Sequence, residues 1–272
     1  PTVTLVVDDG LATDSDTASV AVANVAPSVS IGSVSPTLVA VGETVTADGS
    51  FTDPGTNDTH TAQWDWADTP TSAGTVSGLN VGPDSHTYNS TGVFTVKLTV
   101  TDDDGGVGMD EFEFVVVYDP SAGFVTGGGW IDSPPGACQF GDCTDETTGK
   151  ATFGFVSKYK KGQSTPEGNT EFQFHAGNLN FHSDSYEWLV IAGHQAKYKG
   201  TGTINGGGNY GFMLTAVDEA LTPSTDEDTF RIKIWDKDNS DAVVYDNKMG
   251  VDDDSYDGTA LSGGSIVIHT KK

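Results

Sequence analysis

The sequence predicts an all-β protein, and three observations carry that prediction. Its 272 residues include 34 glycines, and Thr, Val, Ser and Asp are abundant while Leu, Lys and Arg are scarce. That mixture suits short strands joined by tight turns. Apolar residues alternate with polar ones over short runs, as in strands with one buried face, and clusters of Gly, Pro, Asn and Asp interrupt those runs at short spacing. No periodic helix of useful length is visible, and the length suffices for two domains that each bury a core.

The first element is a hairpin in residues 1–26. Val3, Leu5 and Val7 alternate before the acidic turn "DDG", and Val20 and Val22 alternate after it. The same pattern returns in "VKLTVTDDDGGVGMDEFEFVVV", where Val96, Leu98 and Val100 precede the turn and Phe112 and Phe114 follow it. Asp8 stands 94 positions before Asp102, and Asp16 stands 94 before Asp110, a domain-sized period. Residues 1–26 thus read as the closing hairpin of an incomplete repeat. Two origins fit: the tail of a preceding repeat in a longer stalk, or a device that donates strands to an identical subunit, because unpaired strand edges invite pairing.

Residues 27–118 form the complete unit. Turn clusters break "NVAPSVSIGSVSPTLVAVGETVTADGSFTDPG" into short strands at sandwich spacing. Trp64 and Trp66 share one strand face, as do His86 and Tyr88, and large aromatics supply much of a small sandwich's buried area. No nucleophile or second base accompanies His86, which reads as structural. Trp64, Asp65, Trp66 and Asp68, then His86, Tyr88 and Gly92, then the Val96–Val100 strand with its Asp turn, closely resemble the PKD (polycystic kidney disease) repeat of extracellular proteins. The resemblance implies an immunoglobulin-like sandwich without its disulfide. It departs at Ala67 and Thr69, where the family usually has Gly.

Residues 119–272 change character, carrying 12 of the 13 basic residues. Alternation in "KATFGFVSKY", "TEFQFHAG", "EWLVIAGHQAKYKG", "TFRIKIWD", "DAVVYDN" and "SIVIHT" predicts a second β-sandwich or jelly-roll-like domain. "TGGGW" lacks the following helix and Lys of a phosphate loop and reads as a strand entry. "FVTGGGWI", "FGFVSKYKKG", "FRIKIWDKDN" and "GGSIVIH" resemble the post-COAP-1 type domain of exported bacterial proteins, a resemblance that implies no activity. Cys138 and Cys143, in "GACQFGDC", predict a short disulfide, since two thiols cannot supply a structural zinc site.

Charge excludes some functions. Asp and Glu outnumber Lys and Arg 39 to 13, for a net charge of -26, and Lys97 is the only basic residue before Lys150. A surface of that kind repels nucleic acid. No apolar run reaches the roughly 18 residues that span a bilayer. Acidic turns suit Ca²⁺, which takes several hard oxygen ligands. By position, the PKD resemblance implies a calcium site at Asn24, Asp68 and Asp102, with Asp103 adjacent. In "DKDNSD", Asp236, Asp238, Ser240 and Asp241 resemble a calcium loop, although Asp241 stands where an EF-hand needs Gly.

Catalysis is not expected: His175, His182, His194, Glu171 and Glu187 come with no H-E-x-x-H or nucleophile motif. Tyr159, Trp188 and Tyr198, flanked by lysines, are candidates for stacking on a polysaccharide, with ordinary alternation (Lys out, aromatic in) as the competing account. The expectation is therefore a non-catalytic extracellular or cell-surface protein, PKD spacer plus C-terminal β-domain, calcium-stabilised and structural or adhesive. Its partners would be neighbouring PKD modules or identical subunits, by strand pairing. The alternative is a carbohydrate-binding accessory module of a secreted hydrolase.

Overall fold

The computed structural model describes all residues except 22, 69–70, 223–226 and 271–272, so Val22 and Thr69 lie outside the described residues. Every regular element of length is a strand; the described helical segments are two single 3₁₀ turns. The opening hairpin pairs Thr2–Asp8 with Thr13–Ser19, and the Asp8 and Asp9 carboxylates accept the turn N–H groups of Gly10, Leu11 and Ala12. Both of its faces are open: Val3, Leu5 and Val7 are 58%, 66% and 60% exposed. The matching Val96, Leu98 and Val100 are fully buried, because a second sheet covers them.

That covered unit is a two-sheet sandwich. One sheet runs Leu38–Ala40, Val107–Tyr118, Gly92–Asp102, His60–Asp65 and Ser72–Gly74; the other runs Ser28–Ser35, Thr44–Thr52, Asn80–Thr87 and Val76–Ser77. Trp64, Trp66, Tyr88, Leu98 and Val117 fill the space between. A ladder of rings runs Trp64, Trp66, His86, Tyr88, Phe94, with neighbouring centroids 4.7–5.5 Å apart. The polar tips of the large aromatics are satisfied: Trp64 Nε1 donates to Asp84 (2.9 Å), Trp66 Nε1 to Ser72, and Tyr88 OH to the Trp66 carbonyl. Ala67 sits at φ 64°. This left-handed conformation, which glycine adopts without penalty, explains the Gly that the resemblance calls for there.

The second domain is one ten-stranded sheet. Gly123–Ser133, Gly149–Tyr159, Pro166–Phe174, Leu179–Ala192, Gln195–Ile204, Gly207–Val217 and Thr229–Asp236 follow one another as an antiparallel meander. The returning chain bridges the two ends of the meander: Thr259–Ala260 pairs with Thr229–Asp236, and Gly263–Thr270 pairs with Gly123–Ser133. The Asp228 and Asp218 carboxylates close the remaining seam by accepting the N–H groups of Ile266 and Ile268. The sheet curls until its inner face meets itself, so Phe153 stacks on Phe230 at 3.9 Å and the two layers of the expected sandwich are halves of one sheet. Cys138 and Cys143 are disulfide-bonded, with Cα atoms 5.8 Å apart.

The two domains touch through an apolar contact. Val93 and Val116 pack with Trp188, Val190 and Met213, flanked by Phe114, Tyr118 and Trp235. Thr91 Oγ1 donates to the Ile191 carbonyl (2.8 Å), and Thr95 Oγ1 to Asp254 Oδ2 (2.7 Å).

Candidate functional site

Three loop carboxylates converge at one end of the first sandwich. Asp53 follows Thr44–Thr52, Asp58 precedes His60–Asp65, and Asp102 ends Gly92–Asp102. Asp53, Asp58 and Asp102 each offer an oxygen, all within 4.8 Å of one another. Ligand oxygens 2.3–2.6 Å from one Ca²⁺ lie at most about 5 Å apart, so this spacing fits a single ion.

Tight turns place these groups. The Gly55 N–H and His60 Nε2 hold Asp53, at 2.7 and 2.9 Å. Asp102 is 5% exposed, and the Gly106 N–H reaches its Oδ1 at 2.7 Å. Asn24, in the segment leading into Ser28–Ser35, donates Nδ2 to both Asp102 oxygens at 3.0 and 2.9 Å. A side chain at Gly106 would strike both Asp102 and Asn24, so that position needs glycine.

The electrostatics are uneven. The His60 hydrogen bond, with that of Gly55, lowers the pKa of Asp53, and the Asn24 amide lowers that of Asp102. Asp58 is raised, by desolvation and then by Asp103, Asp53, Asp104 and Asp102. A carboxylate held close to others that stay ionised is a group a cation would relieve.

The structure thus brings Asn24 and Asp102 together and adds Asp53 and Asp58, which sequence reading missed. Their signal was the spacing Asp-Pro-Gly-x-x-Asp over residues 53–58. Asp68 belongs elsewhere: its Oδ1 lies 2.8 Å from His86 Nε2, on the ring stacked against Trp66. Asp103 accepts the Thr59 N–H and locks the neighbouring loop.

The "DKDNSD" segment is a self-contained turn. Asp236 accepts the Asp238 N–H, Asp238 accepts from Asn209, and Ser240 and Asp241 have φ of 52° and 56°. These side chains do not form a convergent acidic group among the described residues.

The three stacking candidates do not form an exposed platform. Tyr198 is fully buried, its OH 2.8 Å from Thr170 Oγ1. Trp188 is 5% exposed because the first domain covers it. Tyr159 is partly buried, and its OH bonds both the Leu189 N–H and carbonyl at 3.0 Å. Glu171 and His182 pair on the outer face of the sheet, with no nucleophile motif to serve.

No match was found among the curated proteins. A solved structure described as a basis for the promiscuous specificity of carbohydrate-binding modules from the β-sandwich superfamily is 15% identical, aligned over 90% of this chain and 96% of that one. Its TM-score of 0.29 is too low to carry fold or function across. The model of the PKD domain family matches residues 24–116. The stretch that begins at Asn24 and ends within the Val107–Tyr118 strand is a PKD domain.

Proposed function

We propose that this chain is a non-catalytic extracellular segment with a structural or adhesive role, in which a calcium-stabilised PKD spacer carries a C-terminal β-domain. The observation that supports the calcium part is the convergence of Asp53, Asp58 and Asp102 beside Asn24. In this reading the three carboxylates hold Ca²⁺ and Asn24 supports the set. The ion offsets the mutual repulsion of the carboxylates and fixes the segment that joins the opening hairpin to the PKD sandwich. A hinge becomes a strut, which suits a surface stalk. The opening hairpin, with its apolar residues exposed, pairs with a neighbouring PKD module or an identical subunit.

Calorimetric titration of the chain with CaCl₂ tests this. The expected result is one saturable site in the ~10⁻⁴–10⁻³ M range of extracellular modules. Asp102→Asn abolishes it and Asp68→Asn leaves it intact. No binding, or loss of binding in Asp68→Asn alone, would sink the assignment.

A further inference from the structure

A second surface, on the C-terminal domain, is independent of the calcium site. Inward positions of Gly123–Ser133 are odd-numbered, with Val125 and Ile131 fully buried, so even positions face outward. Two of these outward residues are large aromatics, Phe124 and Trp130, both only partly buried. Six residue steps along the strand set them ~20 Å apart. Between them the surface is lowest at Gly128 and Gly154, next to a row of short side chains at Thr126, Val156 and Val267. Thr126 lies between Val156 and Val267, and Gly128 lies between Gly154 and Ser265 in the neighbouring strands. A side chain added at Gly154 would meet nothing within 4 Å, and one at Gly128 only a backbone oxygen at 3.8 Å. The result is a shallow lane with an aromatic ring at each end.

Cations stand at both ends. Lys150 Nζ lies 4.5 Å from the Trp130 ring centroid. Phe124 is paired across the sheet with Lys158 on one side and His269 on the other, and the His269 ring stacks on it at 4.1 Å. At that end the lane opens into a cleft of about 920 Å³ between the KYKKG turn and the segment after Tyr118. Its charged lining consists of Lys158 and Lys161, with no carboxylate, in a chain of net charge -26.

The carboxylates along the lane are already engaged: Asp132 by Ser262, Glu167 by Lys160, Glu171 by His182. Lys158 and Lys161 have no acidic partner among the described residues. Acidic groups farther off than a Debye length of about 8–10 Å are screened at physiological salt.

We propose that this lane binds a linear polysaccharide bearing carboxylates, its sugar rings packing on Phe124 and Trp130 and its acidic groups pairing with Lys150, Lys158 and Lys161. Apolar sugar faces match the part of each ring that His269 and Lys150 leave exposed, two such rings being spaced along one strand. Carboxylates at intervals suit separated lysines better than the dense phosphates of nucleic acid.

The test is titration of the whole chain, in EDTA, with hexasaccharides of polygalacturonate, alginate and hyaluronan, against a neutral β-1,4-glucan hexamer. EDTA keeps the outcome separate from calcium binding at Asp53, Asp58 and Asp102. The expected result is saturable binding of at least one acidic hexamer, with a change in Trp130 fluorescence and weaker binding in salt. Phe124→Ala and Trp130→Ala each weaken binding about tenfold or more, and Lys158→Gln with Lys161→Gln lowers the salt dependence. Far-UV circular dichroism confirms that each variant is folded. Three outcomes overturn the proposal: no binding to any acidic hexamer, equal binding of the neutral hexamer, or full affinity in a folded Phe124→Ala, Trp130→Ala double variant.

Discussion

Arg231 organises the C-terminal domain's acidic loop, and replacing it is predicted to be severe. Arg231 and Asp246 are each 2% exposed and meet fork to fork, Nε to Oδ1 at 3.0 Å and Nη2 to Oδ2 at 2.8 Å. The same guanidinium donates to the carbonyls of Asp252 (2.9 Å) and Val251 (2.8 Å). Arg231→Met therefore strands one buried carboxylate and two carbonyls of the loop. Breaking a buried pair from one side costs about 3–5 kcal/mol, because the remaining charge has lost both water and partner. For a domain of this size that corresponds to a fall in melting temperature of about 6–20 °C. Asp246→Leu alone costs a similar amount, while Arg231→Met with Asp246→Leu costs much less than the sum, since no charge is then orphaned. Calorimetric melting of the four proteins measures this. Hydrogen exchange at residues 251–255 reports whether the loop, whose Asp254 also receives the Thr95 hydroxyl of the PKD domain, has come loose. A single-variant cost below about 1 kcal/mol, or strict additivity in the double variant, would refute the reasoning.

Two further perturbations have defined signs. Burial, and then the nearby Arg231 guanidinium, pull Lys197 from its ordinary 10.5 down to about 7. Between those values the unfolded chain holds a proton that the native protein has released, so stability rises with pH across that window. The gain from pH 7.5 to 9 is about 2 kcal/mol, seen in urea midpoints and absent in Lys197→Met. Trp188→Ala removes the largest buried side chain of the contact between domains and costs about 3–5 kcal/mol. In this variant the PKD and C-terminal transitions separate on heating, while binding along the Phe124–Trp130 lane is unchanged.

Alternation made the strands legible, and shared faces made the first core legible. Trp64 and Trp66, and His86 and Tyr88, sit two apart in sequence and form one ring ladder in space. Alternation misled where a strand is covered on both faces. In Gln195–Ile204, Lys197 and Tyr198 are both fully buried, because the loop that carries Asp253 and Ser255 wraps the outer face and accepts from Lys197 Nζ. Trp188 looked available for the same reason: the residues that cover it belong to the other domain.

The metal-binding candidates were half legible. Asp102 and Asn24 followed from the family pattern, whereas Asp53 and Asp58 share the one loop that joins Thr44–Thr52 to His60–Asp65, and that loop meets Asp102 only once both sheets pack. Phe124 and Trp130 were readable as strand residues, but their separation by a low lane emerged only from the register of three strands.

Thermal unfolding of the chain and of Asp58→Asn, each in EDTA and in millimolar CaCl₂, tests the calcium-stiffened spacer most directly. The pKa of Asp58 is raised by desolvation and by its acidic neighbours, so its ionised form opposes folding at neutral pH when no cation is present. The native chain should therefore melt higher in CaCl₂ than in EDTA. Asp58→Asn should melt higher than the native chain in EDTA and gain little from CaCl₂. A native chain indifferent to calcium, or an Asp58→Asn variant that is destabilised in EDTA and still responds fully to the ion, would contradict the proposal.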